Sequence, residues 1–170
     1  MGISVGVVYD SKLDGFVTYF EDQISQMIDH LFGCQLVVGF NSRRFDYRVL
    51  SAYTKIPMNA EDIVFFTLPT LDILEEIKNR LGYRLSLNRL AEETLGSKKS
   101  SDGMQALKWY KEGKLKEIAA YCKEDVKLTR NLFLFAVENG HVLFRNKAGK
   151  SVRLPLNLEQ RIYQIVAAGS

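Results

Sequence analysis

The order of this 170-residue sequence predicts an α/β domain. Short β-branched runs alternate with helical periodicities, the pattern of strands laid against helices. Gly33, Gly82 and Gly140 each fall just past such a periodicity, where helices commonly stop. The length suits one domain with a substantial core, and 46% hydrophobic with 25% charged residues is ordinary for a globular protein.

Ile3 to Tyr9 is rich in β-branched residues and reads as a strand. Asp10 to Gly15 is a turn and Phe16 to Phe20 a returning strand, giving a hairpin. From Glu21 to Phe32, Ile24, Met27, Ile28 and Leu31 recur at helical spacing. Gln35 to Phe40 carries a short apolar run suited to a strand buried on both faces. Asn41 and Ser42 then supply cap-type side chains before a helix from about Arg43 to Tyr53. Ile63 to Leu68 suits another strand, followed by a helix over Leu71 to Leu81 with Asp72 in its first turn.

Ser86 caps a short helix ending at Leu95. A polar loop over Gly96 to Gly103 leads to a helix over Met104 to Lys111 with Trp109 and Tyr110. The longest helix runs from about Lys114 to Asn139. Leu115, Ile118, Ala119, Cys122, Val126, Thr129, Phe133 and Ala136 form its core-facing stripe. Two strands, His141 to Arg145 and Ser151 to Leu154, flank a turn at Lys147 to Lys150, and a tail with Leu158, Ile162 and Ile165 has helical spacing. Residues 3–145 form the expected domain, and 146–170 an extension with no separate domain.

Net charge is only +3, yet nine basic residues face five acidic ones between Lys98 and Arg130. That excess suits a polyanion, or equally a solvated helix face. Two isolated cysteines without C-x-x-C spacing fit a reduced, cytoplasmic protein. No stretch reaches membrane-spanning length.

Tyr121 and Asp125, four apart on the long helix, share a face one turn from each other. Such a pair can place a base or orienting group beside a metal ligand. Asp46 follows the strand at Gln35 to Phe40, and the crevices of α/β sheets open beyond strand ends of this kind. Alone, Asp46 suits a helix-start carboxylate and Tyr121 an edge residue of the core. Together with Asp125 they suit divalent-metal phosphodiester hydrolysis, where two cations about 3.5–4 Å apart activate water and stabilise the leaving oxygen. Hard oxygen ligands fit Mg2+ or Mn2+.

The ordered series Gly39-Phe-Asn-x-x-x-Phe-Asp46, Thr70-Leu-Asp72, Ser86-Leu-Asn-x-Leu-Ala and Tyr121-Cys-x-x-Asp125-Val resembles the DEDD 3′–5′ exonucleases. The similarity is to their tyrosine subtype, and within it to the YprB-type exonuclease domains. It implies a ribonuclease-H-like mixed sheet flanked by helices. It further implies that Asp46 and Asp125 bind metal, that Tyr121 orients or deprotonates the attacking water, and that Asn41 supports the Asp46 loop. Asp72 matches a recurrent family position that suits a cap better than a ligand. The implied substrate is single-stranded DNA or RNA, with phosphates along Arg43, Arg44, Lys98 and Lys99, charges of the kind that track a backbone.

The family opens on an Asp-x-Glu strand at the centre of its sheet, and this sequence contains no Asp-x-Glu. Ile3 to Tyr9 matches the family's second strand, so the first, central strand is expected to be missing. Two cations bring four positive charges and two carboxylates offset half of them, so metal binding is expected to be single and weak, or absent. An upstream segment, a neighbouring strand or a partner chain is then expected to fill the gap. The rival expectation is a non-catalytic nucleic-acid-binding or helicase-associated module, and a third is a protein-binding domain.

Overall fold

A computed structural model describes residues 2–54, 65, 67–97 and 103–169. The fold is α/β, and among the described residues its strands make three two-stranded sheets rather than one continuous sheet. The chain divides into two compact units. Met1–Cys34, Arg43–Phe66 and Lys99–Lys127 make the first, and Gln35–Ser42, Thr67–Lys98 and Leu128–Ser170 the second.

In the first unit, β1 (Val5–Asp10) and β2 (Gly15–Phe20) form the expected antiparallel hairpin, with Val5 opposite Phe20 and Asp10 opposite Gly15. A single 3-10 turn leads into α1 (Ile24–Phe32), which buries Ile24, Ile28 and Leu31 at steps of four and three. The hairpin is tied to α1 by side chains far apart in sequence. Tyr19 Oη lies 2.7 Å from His30 Nδ1, and His30 Nε2 lies 2.7 Å from Asp10 Oδ2. Asp10 Oδ1 also accepts the Lys12 N–H, closing the turn. The His30 hydrogen bond holds the Asp10 carboxyl below its usual range, while burial pushes the Tyr19 phenol and the Cys34 thiol up.

A π-helical turn (Ser42–Asp46) precedes the short helix α2 (Tyr47–Ser51), where a regular helix over 43–53 was expected. The first unit also holds α5 (Gly103–Lys111) and the front half of the 25-residue α6 (Leu115–Asn139). Trp109 of α5 and Ala119, Cys122 and Val126 of α6 pack on a core of Val5, Val7 and Ile118.

In the second unit, β3 (Val37–Gly39) runs parallel to β4 (Thr70–Asp72), with Gly39 opposite Asp72. The helix expected from Leu71 starts two residues later, as α3 (Ile73–Leu81). Thr70, Leu71 and Asp72 are all buried, and pairing with β3 outweighs their place in a helical periodicity. Of the strand expected at 63–68, residues 63, 64 and 66 lie outside the described residues, and the described Phe65, Thr67 and Leu68 are not in a strand. Phe65 is helical, and Thr67 and Leu68 form the bend that leads into β4. Gly39 leaves no room for a side chain, since an added Cβ would meet the Ser42 Cβ at 2.9 Å.

Ser86 caps α4 (Leu87–Leu95) as expected, accepting the Arg89 N–H at 3.2 Å. The hairpin β5 (His141–Arg145) and β6 (Ser151–Pro155) is followed by α7 (Leu158–Ala168). Leu154, Leu156 and Leu158 of this C-terminal stretch are buried with Leu71, Ile77, Leu90, Leu132 and Phe144 in one core. The expected stripe of α6 needs correcting at two places. Leu115 is exposed, and the deepest positions of the rear half include Leu128 and Leu132.

Candidate functional site

Asp46, Tyr121 and Asp125 all fall in the first unit, although 75 residues (121 − 46) separate the first two. Tyr121 and Asp125 lie one turn apart on the unbroken α6, both half-buried. The Oδ1 of Asp125 is itself buried. A helix interior offers neither residue a capping role, so their polar groups are held by position rather than by a chain end.

Asp46 closes the π-helical turn and precedes α2 with αR backbone angles (φ −60°, ψ −45°). Its side chain makes no capping hydrogen bond to α2, and the residue is exposed. A turn with the wider i→i+5 spacing is uncommon and recurs at functional sites. Arg43 and Arg44 share the turn, the first half-buried and the second exposed. Phe45 stands between Arg44 and Asp46 with 54% of its surface exposed. An outward aromatic ring between a guanidinium and a carboxylate offers a stacking face for a base. The sequence carried that signal as Arg-Arg-Phe-Asp, and only exposure separates it from an ordinary core phenylalanine.

Asn41 and Asp72 lie in the second unit and are joined to each other. Asn41 adopts a left-handed conformation (φ +64°), rare outside glycine but tolerated by Asn. Its N–H donates to Asp72 Oδ1 at 2.8 Å, and its Oδ1 accepts from Arg84 Nη2 at 2.9 Å. Asp72 is 2% exposed and is the N-cap of α3, its Oδ1 also accepting the Leu74 N–H at 3.1 Å. This carboxylate is therefore committed to backbone N–H groups. Arg84, which the sequence did not single out, is a third member of the group. Lys98 and Lys99 lie outside the described residues.

The donors of the first unit suit a divalent cation in kind, because Asp46 and Asp125 are hard oxygen ligands. They fall short in number. Among the described residues, no group of three or more His, Cys, Asp or Glu side chains is placed to hold a metal ion. A site for two cations is thus not assembled by these residues. Among the described residues, no helix is long and apolar enough to cross a membrane. Cys34 and Cys122 are both free thiols.

A family model described as the RNase H superfamily matches residues 2–136. No curated protein and no solved structure matches the chain.

Proposed function

The chain belongs to the RNase H superfamily, and from that premise we propose a 3′–5′ exonuclease-like domain acting on single-stranded nucleic acid. Nuclease-type chemistry on nucleic acid is what membership brings. The finer assignment is supported chiefly by the placement of Asp46, Tyr121 and Asp125 in one compact unit. In it, Tyr121 orients or deprotonates the water that attacks the terminal phosphodiester. Asp125, one turn away, holds negative charge beside it. Asp46 supplies a second carboxylate, while Arg43 and Arg44 bind backbone phosphate and Phe45 stacks on a base.

Mg2+ or Mn2+ is the cofactor that fits this chemistry, and the two carboxylates offset only half the charge of a cation pair. Cleavage by this chain alone is therefore slow, and full activity needs further carboxylates. The same shortfall among the described residues favours one rival, a non-catalytic module that binds single strands, alone or beside a helicase.

The two readings separate on end-labelled single-stranded DNA and RNA with Mg2+ or Mn2+, assayed with and without a chelator. Nucleotides are expected to leave from the 3′ end, with the chelator stopping release and Tyr121→Phe slowing it on the order of 10²-fold. Equal rates for wild type and Tyr121→Phe would sink the assigned water-activating group. Steeply salt-dependent binding with no turnover in any condition would establish the binding module instead.

A further inference from the structure

On α5, two rows of side chains run outward next to each other. Met104, Leu107 and Tyr110 recur every three residues and are 79%, 61% and 51% exposed. Lys108 and Lys111 repeat the same step one position further on. Lys114, beyond the left-handed Gly113 (φ +69°) that follows the helix, joins them through Glu112, which bonds Lys114 and approaches Lys108. The opposite side of α5 is held inward by Trp109, which packs on the core shared with Ala119, Cys122 and Val126 of α6. The rows therefore ride on the outside of a helix fixed against the part of α6 that bears Tyr121 and Asp125. Residues three apart on a helix are surface neighbours, about 5–6 Å between Cβ atoms, so Met104, Leu107 and Tyr110 form one ridge and Lys108 and Lys111 another.

From this arrangement we infer that α5 is a docking track for a single-stranded polynucleotide. Bases lie along Met104, Leu107 and Tyr110, and phosphates follow Lys108, Lys111 and Lys114. A single strand presents apolar base faces on one side and phosphates on the other, which is the division the two ridges make. A second copy of α5 would set lysine against lysine, which argues against self-pairing across this face. The same mixture of cation and aromatic ring occurs again in the first unit at Arg44 and Phe45.

Glu112 sets a limit on the track. It bonds Lys114 at 2.8 Å and approaches Lys108 at 4.0 Å, so bound phosphate competes with a carboxylate for both. Lys114 holds the Glu112 carboxyl below its usual range and is itself raised by it. Removing that charge should strengthen the track, which a purely structural helix would not show.

The inference rests on the nucleic-acid reading above but not on cleavage, so it is tested in EDTA. Fluorescence anisotropy of a labelled oligo-dT with the full chain reads binding across a salt series. Tyr110→Ala is expected to weaken binding about tenfold. Lys111→Gln should reduce the salt slope by about one. Glu112→Gln is expected to tighten binding several-fold. All three positions are exposed, and thermal melting followed by circular dichroism checks that each variant stays folded. Wild-type affinity in Tyr110→Ala and Lys111→Gln would overturn the inference, as would a wild type that does not bind. A Met104→Gln/Leu107→Gln variant that alters sedimentation while leaving oligo-dT binding unchanged would overturn it too, marking a protein-docking face.

Discussion

Asp125→Asn is expected to lower metal-dependent release of nucleotides on the order of 10²-fold or more, the range lost with a positioned acid–base group. Asn keeps the shape of Asp and one oxygen, so what disappears is the charge. Asp125 sits in the middle of a 25-residue helix, away from either helix end, and its Oδ1 is buried. The substitution leaves the Ile118 and Val126 packing of α6 intact. Initial rates should fall while the melting temperature holds. A variant that cleaves like wild type removes Asp125 from the site, and one that loses its fold and activity together would show a structural role instead.

Asp72→Ala is expected to act on stability. One oxygen serves two donors, the Leu74 N–H at the start of α3 and the Asn41 N–H beyond β3. Losing the cap costs about 1 kcal/mol. Leaving the part-buried Asn41 N–H without its acceptor costs about 1–2 kcal/mol more. A shift of about 2–3 kcal/mol in urea unfolding follows from the sum, and Asp72→Asn, which keeps an acceptor oxygen, should recover most of it. The left-handed Asn41 is the local consequence to watch, because its N–H and its side chain are both tied, to Asp72 and to Arg84. An Asp72→Ala protein as stable as wild type would show that the cap is dispensable.

What the sequence made legible and what it hid divide along lines of range. The β1–β2 hairpin, α1, the Ser86 cap and α6 rest on contacts a few residues apart, and each was readable from spacing or turn chemistry. The clasp of Asp10, His30 and Tyr19 was not, because its members lie up to 20 residues apart and Asp10 reads locally as a turn residue. Leu71 and Asp72 read as the start of a helix because a three-residue strand carries too little periodicity to betray a parallel partner over 30 positions away. The π-helical turn uses residues that would start an ordinary helix equally well.

On α6, Leu128 and Leu132 were passed over because one stripe was drawn along the full helix. Its front half serves one core and its rear half another, so a single stripe cannot describe both. For the candidate site, the residue types and their order were readable, but the sharing of one unit by Asp46, Tyr121 and Asp125 was not. Phe45 and Arg84 entered only through exposure and hydrogen bonding.

Asp46 and Asp125 are proposed as metal-facing carboxylates, too few to hold a cation pair. Titration with Mn2+, following the free-ion signal by electron paramagnetic resonance, tests it without any substrate. At most one weakly held Mn2+ per chain is expected, with none in the Asp46→Asn/Asp125→Asn double variant. Two tightly held ions, or one bound equally well by the double variant, would contradict it.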